Sequence, residues 1–380
     1  MPARNLLHIF STFAVGGPQV RFAAQANRFG NQFHHLIVAM DGRYECRSRI
    51  DPAVSVSLPA VPIRKGHTLA NLRAFRRALR RLNPDVLITY NWGAIEWAMA
   101  NWPGLVRHIH IEDGFGPEEA RQQMWRRVWT RRLVLRGSSV IVPSRTLANI
   151  ATAVWRLDPL RVHYIPNGID CARFAAPRDL AIVAQCPGSG PIIGTVAALR
   201  REKNLQRLLL AFRRVSERIP CRLIIVGDGP ERAPLESLAD EIGVRDRLWI
   251  TGHVDRPETI YPAFDVFALS SDTEQMPYTI IEAMAAGLPV AATDVGDIRH
   301  MVAGENGTYL VAPTDERLAE ALEGLLADAA LRGRLGAANR RKAREEYGQE
   351  RMFRAYAAMF RGKESESHDA PIPLKQGHTP

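Results

Sequence analysis

The chain has 380 residues, of which 46% are hydrophobic and 24% charged, with a formal net charge of +10. A single core rarely exceeds about 250–300 residues, so two domains are expected, and this composition excludes a largely disordered protein. No apolar run approaches the roughly 20 residues of a membrane span, and residues 6–10 predict a buried strand instead of a signal peptide.

The charge is unevenly distributed along the chain. Residues 1–165 contain 23 Lys+Arg and 10 Asp+Glu, a net of +13, whereas the remainder has 27 and 30, a net of −3. A basic half indicates an anionic membrane surface, a nucleic acid or a phosphorylated substrate as partner, or else serves solubility alone. The four cysteines form no CxxC pair, which favours a reducing cytoplasm.

Short apolar runs alternate with longer amphipathic segments in both halves. Apolar runs without period-2 alternation predict strands buried on both faces, and the segments between them predict helices. The predicted strands are 6–10, 35–39, 86–90, 106–111, 139–142, 192–196, 222–226, 248–251, 266–269 and 289–292, and the predicted helices are 69–82, 93–100, 118–136, 204–218, 232–242 and 278–286.

This alternation predicts two Rossmann-like α/β domains, interrupted by a proline- and glycine-rich stretch. We expect one domain over residues 1–165, a linker over 166–190 and a second domain over 191–345. A helix over 346–363 that packs back on the first domain and a disordered tail over 364–380 complete this expected organisation.

The most informative stretch is 270–290, in which Glu274 and Glu282 are separated by seven residues. Glu274 lies in the loop after a predicted strand, and Glu282 lies early in the following helix. A helix N-terminus suits a phosphate, and a carboxylate one turn further in can accept hydrogen bonds from ribose hydroxyls. A carboxylate in the loop can hold sugar hydroxyls.

This stretch resembles the E-x7-E signature of the retaining glycosyltransferases of the GT-B fold, family 4 (glycosyl transferases group 1), although Gln275 replaces the usual glycine. The segments IPNGID (165–170), VGDGP (226–230), TGHV (251–254) and ENG (305–307) resemble the same family in the same order. The resemblance implies an α/β GT-B fold, with two doubly wound domains facing a cleft. It also implies transfer of a hexose-type sugar from a nucleoside diphosphate sugar to a saccharide, a lipid-linked or a small-molecule hydroxyl.

The resemblance assigns ribose binding to Glu282 and sugar binding to Glu274. It adds donor contacts from Gly227, Val254, Met276 and Pro277, and from Gly16 and Gly17 after the first strand. Adjacent glycines let a backbone approach a ligand closely, but they also suit a simple strand–helix turn.

Two cations hold the donor diphosphate in this family, in the pattern R-x4-K. Lys203 fits the lysine, whereas the arginine position falls on Ala198, so Arg200 is the candidate substitute. Cations near a helix N-terminus are unfavourable without an anion. The presence of Arg200, Arg201 and Lys203 there favours an anionic ligand over three cations that are merely solvated.

The reacting side of the site leaves alternatives open. Asp113 stands where many relatives have a histidine before a glycine, and His110 and Glu112 lie close by. Asp113 or His110 could support the reacting centre, but a core histidine and a loop-capping aspartate are equally consistent.

No metal-ligand spacing is present, and the GT-B pattern implies that no metal or other cofactor is required. A basic segment, 121–136, carries Trp125 and Trp129 four residues apart, which predicts either peripheral contact with an anionic membrane on its inner face or core tryptophans with solvated arginines. No nucleic-acid-binding motif is present. The rival functions are a non-catalytic GT-B relative that binds a membrane or partner, and a GT-B phosphorylase or epimerase.

Overall fold

A computed structural model describes residues 3–115, 119, 123–177 and 180–363. The chain separates into two compact units. Unit 1 contains the residues up to Pro166 and those from Phe353 onward, and unit 2 is Asn167–Met352. The predicted tail 364–380 lies outside the described residues.

Unit 1 is built on a parallel sheet with helices between its strands. In the described part of unit 1, the strands are β1 (Arg4–Phe10), β2 (Phe33–Ala39), β3 (Val56–Ser57), β4 (Val86–Tyr90), β5 (Arg107–Ile111), β6 (Ser139–Val142) and β7 (Val162–Tyr164). Its helices before Pro166 are α1 (Gly17–Phe29), α2 (Thr68–Leu82), α3 (Ile95–Asn101), α4 (Trp125–Val134) and α5 (Arg145–Asn149). The strand order is β3-β2-β1-β4-β5-β6-β7, and all neighbours are parallel.

Helix α4 is shorter than the predicted helix 118–136. Met124 precedes it in an extended conformation, and the backbone N–H of Met124 donates to the Glu119 carboxylate (3.1 Å). Residues 116–118 and 120–122 of the prediction lie outside the described residues. The helix therefore begins at Trp125, because the N–H of Met124 bonds to a side-chain carboxylate where a helix would use a backbone carbonyl.

Unit 2 repeats the arrangement of unit 1. Over its described residues, the strands are β8 (Ile192–Val196), β9 (Arg222–Val226), β10 (Leu248–Gly252), β11 (Val266–Leu269), β12 (Val290–Thr293) and β13 (Leu310–Val311). The helices are α6 (Leu180–Gln185), α7 (Leu205–Ser216), α8 (Arg232–Glu241), α9 (Tyr278–Ala286), α10 (Ile298–Met301), α11 (Asp315–Ala327) and α12 (Ala329–Glu346). The parallel strands are ordered β10-β9-β8-β11-β12-β13.

The stretch predicted as a linker, 166–190, contributes to the core of unit 2. Cys171, Phe174 and Cys186 are buried in the hydrophobic cluster that also contains residues of α9 and β12. Proline and glycine do interrupt regular structure here, but the apolar side chains between them are buried against unit 2.

The last described helix, α13 (Gln349–Arg361), crosses the boundary between the units. Its C-terminal part belongs to unit 1, where the ring of Phe360 lies 5.8 Å from that of Phe33. Arg107 of β5 donates to the carbonyl of Met359 (2.7 Å).

Both sheets reverse their strand order at one point, between β1 and β4 in unit 1 and between β8 and β11 in unit 2. The prediction of two Rossmann-like α/β domains is confirmed. Ligands in such sheets bind beyond the carboxyl ends of the strands at the reversal point. In unit 2 that position is occupied by the loops after β8 and β11.

Candidate active site

Hydrogen bonds join the loops that follow β8 and β11. Oγ of Ser270 donates to the carbonyl of Lys203 (3.0 Å), and the backbone N–H of Asp272 donates to the carbonyl of Glu202 (2.9 Å). The guanidinium of Arg207, on α7, donates to the carbonyl of Ser270 (2.7 Å). These contacts hold the two loops together at the reversal point of the sheet.

Lys203 and Glu274 form an ion pair between these two loops. Nζ of Lys203 donates to Oε1 of Glu274 (2.5 Å), and Oγ of Ser271 donates to the same oxygen (2.7 Å). The lysine side chain is 26% exposed and the glutamate side chain 9%. Within the described part of the chain, Oε2 of Glu274 accepts no hydrogen bond, so this oxygen can accept one from a ligand.

Arg200 precedes Lys203 on an exposed turn. Residues Arg201–Lys203 form a 3₁₀ turn, and α7 begins only at Leu205, with Asn204 as its N-cap. The helix thus starts after the basic residues, close to the predicted start at residue 204, because Asn204 in the left-handed conformation is its N-cap. Arg200 is exposed and forms no ion pair with another described residue, which leaves its guanidinium available to an anion.

The backbone at Glu274 is fixed by the loop after β12. Gly296 has φ +60°, and a Cβ there would lie 2.2 Å from the carbonyl oxygen of Glu274, so no larger residue fits. The N–H of Asp297 donates to the carbonyl of Gln275 (3.0 Å). Gln275 is not among the residues with positive φ, so its position does not require the glycine usual in the family.

Helix α9 begins directly after this loop, as the sequence predicted. Pro277 is its N-cap, no side chain caps the helix, and its first turn contains no acidic residue. Met276 before it is buried, and its carbonyl accepts a hydrogen bond from Nδ2 of Asn167 (3.1 Å). An N-terminus without a side-chain cap leaves partial positive charge for an anion.

Glu282 lies on α9 and is held by a tyrosine that the sequence did not reveal. The hydroxyl of Tyr261, which is fully buried, donates to Oε2 of Glu282 (2.6 Å). Burial raises the pKa of Glu282, and Glu258 adds to this rise, whereas the Tyr261 hydrogen bond and Arg173 oppose it. In the described residues Oε1 of Glu282 has no hydrogen-bond partner, so one oxygen is fixed and the other can bind a ligand.

Two further candidates line the ends of neighbouring strands. Gly227 follows β9 with φ +137°, and a Cβ there would lie 1.9 Å from the carbonyl oxygen of Ala197, after β8. Val254 follows β10 and is half-buried against the core of unit 2. Gly227 therefore allows the loops after β8 and β9 to pack closely, which is a structural reason for this glycine.

In unit 1, Gly16 is the N-cap of α1 and Pro18 lies in its first turn. A Cβ on Gly16 would lie 2.8 Å from Oε1 of Gln19, whereas one on Gly17 would meet nothing within 4 Å. No side chain caps this helix. The loop thus combines a tight strand–helix turn with an open backbone face at Gly17.

Asp113, the first candidate for the reacting centre, forms a bidentate ion pair with Arg21. The two guanidinium nitrogens lie 2.5 and 2.9 Å from the two carboxylate oxygens, and the side chains are 3% and 14% exposed. The backbone N–H of Asp113 donates to Oδ1 of Asn91 (2.7 Å). Both oxygens of the Asp113 carboxylate are therefore engaged by one guanidinium.

His110, the second candidate, is fully buried on β5. Its Nδ1 lies 2.8 Å from Oγ1 of Thr89, which also lies 2.8 Å from Nε2 of His108. Its Nε2 lies 3.5 Å from Oε2 of Glu112, which accepts from Nε of Arg131 (3.3 Å). Burial, and then His110, lowers the pKa of His108 to about 3. His110 is a core histidine within a buried polar network, and it has no access to a substrate from solvent.

The described residues contain no group of His, Cys, Asp or Glu side chains that could hold a metal ion. Over the same residues, no helix has the length and apolar character needed to cross a bilayer.

Two family models match the chain. Residues 15–173 match the Glycosyltransferase Family 4 model, and residues 183–342 match the model of glycosyl transferases group 1. The two matches lie one in each half of the chain and together span most of it.

Relatives and solved structures agree with these models. D-inositol 3-phosphate glycosyltransferase of Xylanimonas cellulosilytica is 28% identical over 284 residues, which are 68% of this chain and 68% of that protein. The GDP-mannose-dependent alpha-mannosyltransferase of Mycolicibacterium smegmatis is 32% identical over 195 residues, and the match covers 50% of this chain and 48% of that protein. Anabaena Alr3699/HepE in complex with UDP-glucose has the same fold, with a TM-score of 0.78 and 15% identity over 94% of this chain and 100% of that one.

Since the models, the relatives and the fold agree in both halves, this chain belongs to family 4 of the glycosyltransferases and has the GT-B fold.

Proposed function

We propose that this glycosyltransferase moves a hexose-type sugar from a nucleoside diphosphate sugar to a hydroxyl group, with retention of the anomeric configuration. The observation that carries the proposal is the Lys203–Glu274 ion pair at the reversal point of the unit 2 sheet. It places a cation and a carboxylate at the same strand ends. The similar proteins support a nucleotide-sugar donor. The mannosyltransferase relative is named as GDP-mannose-dependent, and the HepE structure of the same fold is a complex with UDP-glucose.

In this proposal each end of the donor meets a different part of unit 2. The free Oε1 of Glu282 accepts hydrogen bonds from the ribose, with Tyr261 fixing the other oxygen. The free oxygen of Glu274 accepts from hydroxyls of the sugar. The diphosphate binds the start of α9 and the ammonium of Lys203, which has three N–H donors and uses one on Glu274.

Catalysis then depends on stabilising the departing diphosphate. The bond between the anomeric carbon and the diphosphate oxygen breaks, the acceptor oxygen bonds to the same face of that carbon, and the hydroxyl proton passes to the diphosphate. Lys203 and Arg200 offset the negative charge that develops on the leaving group, which is the largest electrostatic contribution to such a step. This route needs no side-chain nucleophile, and it is compatible with Asp113 being paired to Arg21.

The proposal also covers the acceptor and the location. The acceptor is the hydroxyl of a saccharide, of a lipid-linked saccharide or of a small molecule. The four buried free cysteines suit the cytoplasm, and the net charge of +13 over residues 1–165 suits peripheral contact with the inner face of a membrane. No metal or other cofactor enters the proposed step.

The test is slow hydrolysis of a panel of UDP-, GDP- and ADP-sugars with EDTA present, followed by the anomeric configuration of the product formed on an added acceptor. We expect cleavage of one donor class, loss of cleavage in Glu282→Ala and Lys203→Ala, and a product with the anomeric configuration of the donor. An inverted product would contradict retention, and activity only after addition of a divalent metal would contradict metal independence.

The rival functions give different results in the same assay. A non-catalytic relative would bind a nucleotide but cleave no donor with any acceptor. A phosphorylase would require inorganic phosphate as the acceptor, and an epimerase would change the sugar without releasing the nucleotide.

A further inference from the structure

Helix α4 of unit 1 exposes three large apolar side chains and buries an arginine. Trp125, Trp129 and Leu133 follow one another at four-residue spacing, and they are 70%, 50% and 63% exposed. Four-residue spacing places the three on one face of the helix. Of the two alternatives for this segment, the one with both tryptophans in the core is therefore wrong. We call the three residues the apolar stripe.

The opposite face of α4 explains why the helix cannot turn the stripe inward. Arg131, on that face, is 1% exposed and donates to both oxygens of the buried Glu119 (3.2 and 3.1 Å). Its guanidinium carbon also lies 4.9 Å from the ring centre of Trp155 and 5.1 Å from that of Trp92. A buried, paired and ring-stacked arginine fixes the rotation of the helix, since turning the helix would separate buried Glu119 from both Arg131 and Arg127.

Three arginines flank the apolar stripe. The guanidinium of Arg126 lies 5.9 Å from the ring centre of Trp125, and that of Arg132 lies 5.0 Å from the ring centre of Trp129. Arg136 follows the helix and is exposed. Across the described residues, these three arginines form no ion pair, and the helix itself contains no acidic residue.

The combination identifies the chemistry of the partner. An exposed apolar row on a soluble surface indicates an interaction site, and tryptophan rings favour the boundary between headgroups and hydrocarbon. Arginines beside those rings suit anionic phosphates, and they would be unfavourable against a basic or neutral partner. The net charge of +13 over residues 1–165 attracts the same anionic surface at longer range.

We propose that the apolar stripe, with Arg126, Arg132 and Arg136, is the surface through which this chain binds an anionic phospholipid bilayer. The tryptophans and Leu133 enter the headgroup region, and the arginines contact lipid phosphates. This proposal names the surface that would bring about the peripheral membrane contact included in the proposed function, and it rests on that part of the proposed function. Lipid binding itself requires neither donor nor acceptor.

The experiment is co-sedimentation of the full chain with vesicles of phosphatidylcholine alone or mixed with phosphatidylglycerol. We expect binding to the anionic vesicles, weaker binding at high salt, and little binding to neutral vesicles. Trp125→Ala with Trp129→Ala should lower the partition coefficient at least about tenfold, because two interfacial rings are lost. Replacing Arg126 and Arg132 by Gln should remove most of the salt dependence.

A matched pair of leucines separates this surface from exposed apolar area in general. Leu133→Ser should weaken vesicle binding, whereas Leu160→Ser, at a leucine that is 82% exposed on the same unit, should not. Circular dichroism and donor cleavage without vesicles check that the variants are folded.

Three outcomes would overturn the proposal. The first is equal binding to neutral and anionic vesicles, and the second is unchanged binding by the double tryptophan variant. The third is a dimer in analytical sedimentation that the double tryptophan variant dissociates, since the stripe would then lie between two copies of the chain. Failure of donor cleavage with intact vesicle binding would instead count against the proposed function alone.

Discussion

The two units share the order of their first six strands but differ in the side chains at the carboxyl ends of those strands. In unit 2, Glu274 and Glu282 each have one oxygen that accepts hydrogen bonds from a neighbour and one that accepts none from a described residue. In unit 1, both oxygens of Asp113 are held by Arg21, and His110 is fully buried. The candidate carboxylates of unit 2 thus each keep one oxygen without a hydrogen bond from a described residue, whereas both oxygens of Asp113 in unit 1 accept from Arg21.

The difference teaches that strand order gives the position of a site but not its chemistry. What distinguishes unit 2 is the partner of each carboxylate. A lysine with spare N–H donors and a tyrosine hydroxyl fix the geometry while leaving the carboxylates able to accept. A bidentate arginine, as at Asp113, uses both oxygens at once.

Lys203→Ala should have the largest effect on turnover. Loss of the cation at the departing diphosphate should lower kcat of donor cleavage about 100–1,000-fold. Arg201→Gln, which removes an exposed cation two residues earlier, should change kcat by less than about threefold. Steady-state kinetics of both variants checks this, and near-wild-type turnover by Lys203→Ala would place the diphosphate elsewhere.

Asp113→Asn should affect stability more than chemistry. Removing the charge that pairs with buried Arg21 should lower the free energy of unfolding by about 2–3 kcal/mol, measured by urea denaturation. The double variant Arg21→Met, Asp113→Met should be less destabilised than the single variant. If Asp113→Asn were as stable as wild type but lost an acidic limb from its pH–rate profile, Asp113 would be a base after all.

Glu282→Gln should raise stability while it lowers nucleotide affinity. Because burial raises the folded-state pKa of Glu282, the unfolded chain carries this charge more easily, and stability falls as pH rises through that pKa. The variant should therefore melt at a higher temperature at neutral pH, and the gain should shrink as pH falls through the raised folded-state pKa and disappear below the ordinary glutamate pKa. Its affinity for nucleoside diphosphates should fall about tenfold, because an amide offers one acceptor oxygen where a carboxylate offers two.

Tyr261→Phe removes the hydroxyl that donates to the Glu282 carboxylate. It should weaken nucleotide binding less than Glu282→Gln, since the carboxylate remains but is no longer held in place. Calorimetric titration at neutral pH ranks the two variants. The reverse ranking would mean that Tyr261, and not Glu282, contacts the ligand.

Gln275→Gly should have the smallest effect. The residue does not have positive φ, so the family glycine would bring no relief of strain. We expect turnover within about twofold of wild type and a stability loss below about 1 kcal/mol from the added backbone freedom. A large gain in turnover would show that Gln275 obstructs the donor.

The sequence predicted the long buried strands and helix α9 well, because their apolar patterns are continuous and helix α9 ends at Gly287 in the left-handed conformation. Strands β3, β7 and β13 were missed, since runs of two or three residues carry no pattern. The start of α4 was misplaced because Glu119, a residue outside the helix, takes the N–H of Met124.

At the candidate site, sequence reasoning named Lys203, Glu274 and Glu282 as candidates but did not name the residues that bond to the two glutamates besides Lys203. Ser271 donates to Glu274, Tyr261 donates to Glu282, and Gly296 packs against the backbone of Glu274. Tyr261 and Glu282 are 21 positions apart along the chain. Nothing in the local sequence Tyr261-Pro262 indicates that Tyr261 would bond to Glu282. The pairing of Arg21 with Asp113 joins residues 92 positions apart, which no local pattern could show.

The most direct test of the contrast between the units is the affinity of UDP, GDP and ADP for Lys203→Ala and for Asp113→Asn, measured calorimetrically beside wild type. We predict that one of these nucleotides binds the wild type, that Lys203→Ala weakens this binding at least about tenfold, and that Asp113→Asn leaves it unchanged. Equal binding by Lys203→Ala and wild type, with loss of binding in Asp113→Asn, would show that the nucleotide is held by unit 1 and would contradict the donor site proposed in unit 2.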